Sequence, residues 1–311
     1  MPTDKRLSCS YCGHEGDFTI HHVREMMFGS GEHFDYASCS VCGSLHLLNV
    51  PSNLGDYYPK DYYSFQELVQ SSPFKNFLKL IRYSLFTKGI PVQPPVFGDW
   101  MVEMQVPKHA RIADVGCGNG QLLYEMYAAG FIHLEGYDPF IDQEKTINPR
   151  LSLFKKSVFE MEGSFDLIMM HHALEHMESP DRVLEQCFGK LNKGGWLLVR
   201  IPVSDAQVWK DEGINWVQLD APRHLTIPSV KGLTALAEGF GFKAHKVVFD
   251  STVFQFWGTE LYKGGVSLRD VQHPLYISLT SAQRMKEYQQ KALLYNQKGI
   301  GDQACLYFYK G

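Results

Sequence analysis

Arg111-Ile112-Ala113-Asp114-Val115-Gly116-Cys117-Gly118-Asn119-Gly120 reads as a short buried strand that ends in an acid, breaks into a glycine turn and hands over to a helix at Gln121-Leu122-Leu123-Tyr124. The glycines alternate at Gly116, Gly118 and Gly120. That spacing lets the main chain pass within contact distance of a ligand, where any Cβ would collide. It differs from the wider G-x-G-x-x-G pattern that receives a pyrophosphate. A ligand with an ammonium and a carboxylate suits this turn better. Asp114 is placed to position the cation, while the turn N–H groups, the Cys117 backbone among them, and the helix start favour the anion.

Outward from the turn, the helix closes at Gly130 and His133-Leu134-Glu135-Gly136-Tyr137-Asp138 reads as the next parallel strand. Asp138, at its end, stands where an acid takes ribose hydroxyls. Pro139 and Phe140 follow and are placed to pack on a purine. Ser179-Pro180-Asp181 opens a helix, with a capping hydroxyl, proline at the first position and an acid facing the dipole. Val183, Leu184, Cys187, Phe188 and Leu191 give it one apolar face, and Gly194-Gly195 are expected to end it. A helix from Ser229, a strand at 246–249 and a final strand at 304–309 continue the alternation, which means a largely parallel sheet covered on both faces.

Residues 108–202 resemble the core of the class I S-adenosylmethionine-dependent methyltransferases. The resemblance rests on the glycine turn, on Asp138, on Phe165-Asp166-Leu167-Ile168-Met169-Met170-His171-His172-Ala173-Leu174-Glu175-His176, and on Leu191-Asn192-Lys193-Gly194-Gly195-Trp196-Leu197-Leu198-Val199. It implies a Rossmann-like α/β fold with a mostly parallel seven-stranded sheet whose last strand is antiparallel. It implies S-adenosylmethionine as cofactor, whose amino acid and nucleoside ends match the two acids. The expected cofactor set is Asp114, Gly116, Cys117, Gly118, Gly120, Asp138, Pro139 and the His171 backbone. Ser157 departs from the family, many members of which place an acid there on the adenine amine.

Ahead of this core, Cys9-Ser10-Tyr11-Cys12-Gly13 and Cys39-Ser40-Val41-Cys42-Gly43 are paired C-x-x-C-G knuckles. Cys9, Cys12, Cys39 and Cys42 together supply four thiolates, the set that closes a structural tetrahedral zinc. His21, His22 and His33 lie between them as alternative ligands or surface residues. The chain divides into a zinc-ribbon module at 1–50, a helical lid and linker at 51–107, and a methyltransferase domain at 108–311 with an aromatic and helical insertion at 251–303. A helix is expected over Pro73–Phe86. The tyrosines of Tyr57-Tyr58-Pro59-Lys60-Asp61-Tyr62-Tyr63 form either a lid over the site or packing for the module. The aromatic part of the insertion either walls the acceptor pocket or makes a homodimer contact.

The 311 residues carry 30 basic and 34 acidic side chains, a formal net charge of -4. That balance gives no overall attraction to a phosphate backbone and argues against a nucleic acid partner. No apolar run is long enough to cross a bilayer, and the cysteine-rich start reads as cytoplasmic. For the acceptor, His224 in Trp216-Val217-Gln218-Leu219-Asp220-Ala221-Pro222-Arg223-His224-Leu225 is the candidate general base, because this segment follows strand five and lies near the carboxyl edge of the sheet. A capping or core role is the competing reading. Asp220 and Arg223 are placed to orient it or to grip an anion.

This stretch, with the knuckles, resembles zinc-binding methyltransferases related to those acting on deoxysugar nucleotides. From them only His224 is carried over. Their Glu-His pair is Arg223-His224 here and their additional C-terminal domain has no counterpart, which weighs against carbon methylation. The expectation is therefore methyl transfer to a small-molecule acceptor of sugar or nucleotide-sugar type. A zinc-ribbon RNA methyltransferase is the alternative and a non-catalytic cofactor-binding module the third reading.

Overall fold

The computed structural model describes residues 7–58 and 67–311; residues 59–63 of the tyrosine-rich run lie outside them. In chain order, the strands and helices begin with β1 (Phe18–Arg24), β2 (His33–Cys39) and β3 (Leu45–Leu47), then α1 (Pro73–Phe86) and α2 (Gly98–Glu103). The core follows with β4 (Arg111–Val115), α3 (Gln121–Ala128), β5 (His133–Tyr137), β6 (Lys145–Asn148), β7 (Leu151–Phe154) and β8 (Phe165–His171). Next come α4 (Pro180–Lys190), β9 (Leu191–Pro202), α5 (Gln207–Glu212), β10 (Thr226–Ile227), α6 (Val230–Gly239) and β11 (Phe242–Phe249). The chain closes with α7 (Phe254–Lys263), α8 (Pro274–Leu279), α9 (Ala282–Gln297) and β12 (Gln303–Lys310).

Among the described residues, eight strands form the main sheet in the order β11-β12-β9-β8-β4-β5-β7-β6. β4 pairs in parallel with β5 and β8, and β12 runs antiparallel to both β9 and β11. Side chains alternate across it. Ala113, Val115, Ile168, Met170, Leu197 and Val199 face one core with α4 and α6, while Ile112, Leu167, Met169 and Leu198 face the other with α2 and α3. A strand buried on both faces needs such an apolar run. Helix starts follow local chemistry: Ser72 accepts from the Lys75 N–H with Pro73 at the first turn of α1, and Ser229 accepts from the Gly232 N–H at 2.9 Å to open α6.

Two sequence expectations change. The sheet has an eighth strand, β6, paired antiparallel to β7 through a turn braced by the Arg150 N–H on Asn148 Oδ1 at 2.9 Å; four polar-rich edge residues give little hydrophobic signal. Gly194-Gly195 do not end α4. The helix stops at Lys190 and β9 runs through both glycines as a bulge, the register stepping from Phe165↔Leu191 to Leu167↔Trp196.

The N-terminal strands form a second sheet, β1-β2-β3-β10, whose fourth strand comes from the segment after β9. No helix among the described residues is long and apolar enough to cross a membrane.

Candidate functional site

At the carboxyl end of β4 the chain turns through three left-handed glycines, Gly116, Gly118 and Gly120, with φ of 76°, 52° and 78°. A Cβ on Gly116 would stand 2.5 Å from the Ala173 Cβ, and one on Gly120 2.7 Å from a Leu153 methyl. The bend is held by main-chain donors: the Gly116 N–H donates to the Tyr137 carbonyl at 2.8 Å and the Gly118 N–H to Asp138 Oδ2 at 2.9 Å. The other Asp138 oxygen accepts from the Phe140 N–H at 2.9 Å. Asp138 thus braces the turn as well as standing at its rim. Pro139 and Phe140 beside it are exposed, Phe140 to 76%.

Asp114 lies beneath the turn, only 3% exposed, and its Oδ1 has no hydrogen-bond partner. Burial, reinforced by the charge of Asp138, pushes its carboxyl up to about 8. An orphaned buried acceptor beside a cradle that a side chain would fill fits a ligand bearing an ammonium. The Cys117 thiol packs over Gly136, and burial with the two neighbouring acids raises its pKa well above the usual thiol range, so it stays neutral. His171 follows Met170, the register partner of Val115, and so sits beside Gly116. Its ring stacks on Trp100 at 4.5 Å, both ring nitrogens are buried without partners, and burial lowers its pKa to about 3.

A second cluster gathers next to this cradle. The short 3₁₀ turn Leu174–His176 follows β8, and the Glu175 carbonyl accepts from the Leu225 N–H at 2.7 Å, joining it to the segment that carries His224. Glu175 is fully buried and His224 is 5% exposed. His176 Nδ1 lies 2.8 Å from the Arg223 carbonyl and 3.1 Å from the Tyr58 hydroxyl; His224 Nδ1 lies 2.7 Å from the Gln218 carbonyl. Carbonyls only accept, so both Nδ1 atoms carry the proton and both Nε2 atoms are bare in the neutral rings. Burial and the neighbouring His176 lower the His224 pKa to about 4. The two rings meet edge to face at 4.8 Å.

Arg223 does not grip an acceptor. Its guanidinium is fully buried and donates to Glu25 Oε1 at 2.9 Å and Asp220 Oδ1 at 2.6 Å, with the Phe28 ring 4.9 Å away. His172 is likewise committed, 3.0 Å from Arg200 Nη1 and 3.3 Å from Glu175 Oε1. Of the insertion, α7 packs behind the segment, Thr259 Oγ1 accepting from the Val217 N–H at 3.1 Å. The His224 carbonyl receives the Tyr36 hydroxyl at 2.6 Å, and Tyr11 and Thr226 bond at 2.8 Å, so the N-terminal sheet clamps the same stretch.

The four N-terminal cysteines converge, with ligand atoms within 4.8 Å of one another and Sγ separations of 3.5 Å for Cys9–Cys42 and 3.7 Å for Cys12–Cys39. Gly13 and Gly43, at φ of 69° and 81°, close the two knuckles by donating to the Cys9 and Cys39 carbonyls. The shared hydrogen of the Cys9–Cys42 pair holds Cys42 down to about 4 and pushes Cys9 up. His21 and His22 turn to Ser38 and Asp35 instead. Sequence reasoning missed His46, whose Nε2 lies 3.3 Å from Cys9 Sγ, as well as Glu25 and Glu175. His46 was signalled by its position four residues after Cys42; the two glutamates carry no local signature.

The strand order of the main sheet, with β12 reversed, and the cradle at the end of β4 are those of a Rossmann-like methyltransferase fold. Residues 99–247 match the family model described as a methyltransferase domain. The tRNA U34 carboxymethyltransferase of Pasteurella multocida (strain Pm70) is 30% identical over 153 residues, 44% of this chain and 46% of that protein. The protein of the same name from Idiomarina loihiensis is 29% identical over 184 residues, 53% of this chain and 56% of its own length. The chain thus spans about half the length of these curated relatives. The solved cyclopropane synthase MmaA2 of Mycobacterium tuberculosis aligns at TM-score 0.44 and 15% identity, over 77% of this chain and 99% of that structure.

These relatives overturn two expectations. The sugar-type small-molecule acceptor and the exclusion of nucleic acid give way, because the curated relatives are named for a tRNA nucleotide. The net charge of a whole chain does not report what one face can bind, and the cofactor motifs carry no information about the acceptor.

Proposed function

We propose that this protein transfers a methyl group from S-adenosylmethionine to RNA, with tRNA as the acceptor. The supporting observation is the similarity to proteins named tRNA U34 carboxymethyltransferase across the cofactor domain. When bound, the cofactor supplies an electrophilic methyl on a sulfonium. Asp114 holds its ammonium, the N–H groups of the turn at Gly116, Cys117, Gly118 and Gly120 its carboxylate, Asp138 its ribose, and Pro139, Phe140 and the His171 backbone border its base and methyl. His224 stands on the acceptor side, its Nε2 bare and its ring fixed by the Gln218 carbonyl, ready to take a proton from the acceptor. Cys9, Cys12, Cys39 and Cys42 hold a structural zinc, His46 lending an outer contact to Cys9. Cysteines that serve as metal ligands and not as disulfides belong to a reducing, cytoplasmic setting.

The test is transfer of label from S-adenosylmethionine into purified tRNA, followed by nuclease digestion and mass spectrometry, which separates methyl from carboxymethyl products. His224→Ala should lower turnover by about two to four orders of magnitude while cofactor affinity is retained. Cofactor binding by calorimetry with no label in RNA would overturn the acceptor.

A further inference from the structure

From the cluster at the junction of the post-β8 turn and the post-β9 segment we infer that Glu175, His176 and His224 form a binding site for a divalent transition-metal cation. One ligand-capable atom of each residue lies within 4.8 Å of the others, so a small contraction brings all three to coordination distance. The carboxylate is the first argument. Glu175 is completely buried; His172 Nδ1 stands 3.3 Å from Oε1 as its ion-pair contact, while Oε2 has no hydrogen-bond partner. Burying a carboxylate with one oxygen unpaired is costly, and a cation in the cluster reduces that cost.

The histidines supply the second argument. Each donates its Nδ1–H to a backbone carbonyl, His176 to Arg223 and His224 to Gln218. This outer contact is the one that fixes a ligating imidazole with its Nε2 lone pair free. A second carboxylate, Asp220, stands at the rim with Oδ2 3.9 Å from His224 Nε2. Two imidazoles and one carboxylate suit zinc, cobalt, iron or manganese better than magnesium or calcium, and they leave coordination positions open. The site is separate from the cysteine quartet and does not depend on the acceptor being RNA. The two roles of His224 exclude each other in time: its Nε2 is a ligand while the cation is bound and a free base only in the metal-free protein.

Cobalt(II) titration of the full-length protein tests this. The expected result is an equivalent with d–d bands and no thiolate charge transfer, in addition to any thiolate-bound equivalent. Glu175→Gln and His176→Gln should each abolish the former and leave the latter. A wild-type protein whose cobalt is all thiolate-bound overturns the inference, as does an unchanged nitrogen- and oxygen-ligated equivalent in both variants. Should the variants lose the thiolate bands too, wild-type crystals soaked in cobalt decide: an anomalous peak between the three side chains supports the site, and its absence overturns it. Failure of tRNA labelling leaves this result standing, which keeps the two conclusions distinguishable.

Discussion

Asp114 stores its cost of burial until a cation arrives. Its carboxyl is raised from 3.8 to about 8 by burial and by Asp138, so the ligand-free protein holds a proton there at neutral pH. Because the folded pKa lies above the unfolded one, this group favours the fold below about 4 and that contribution is lost as pH rises to about 8. A bound ammonium favours the carboxylate. Cofactor binding below about pH 8 should therefore release a proton, and affinity should rise with pH up to that value and then level. Asp114→Asn should flatten the profile and weaken the cofactor by about tenfold to a hundredfold, the scale of a hydrogen bond to a charged group. Calorimetry in buffers of different ionisation enthalpy measures both, and a pH-independent wild-type affinity would refute the argument.

Among the elements, the segment from Trp216 to Ile227 depends most on partners distant in sequence. Arg223 is its internal brace, and Glu25, itself accepting from the Phe28 and Ser30 N–H groups at 2.9 Å, is the partner supplied by the loop after β1. Glu25→Gln leaves a buried guanidinium short of one charge and should destabilise the protein by about 3 kcal/mol, the lower end for a broken buried pair because Asp220 remains. Denaturant melts measure this, and a change below about 0.5 kcal/mol would show the pair to be dispensable. These long-range partners mark where sequence reading stops. α1 was legible from Ser72-Pro73 and its apolar spacing, β4 and its turn from Asp114 and the glycines, and the quartet from two C-x-x-C-G repeats. Each is a local pattern. Glu25, Glu175 and His176 have no such pattern: only the packed fold brings a post-β1 loop, a post-β8 turn and a post-β9 segment together. The notion of Arg223 as an acceptor clamp failed in part for the same reason, since one of its two carboxylate partners, Glu25, lies 198 residues away.

At the scale of the whole molecule, the N-terminal sheet and the cofactor domain share a strand. Removing residues 1–50 would strip β10 of its pairing with β3, Arg223 of Glu25 and the His224 carbonyl of Tyr36. Such a truncation should lose cooperative melting or lose exchange protection from 216 to 227, as calorimetry and amide exchange would show. A native-like melt with that stretch still protected would prove the sheet an appendage. The shared ladder also bears on biogenesis. β1, β2 and β3 leave the ribosome long before β10, and the Tyr36 contact with His224 spans 188 residues. Through that interval the outer edge of β3 has no neighbour to cap it, so a nascent chain paused before Thr226 presents a bare ladder to any extended peptide nearby.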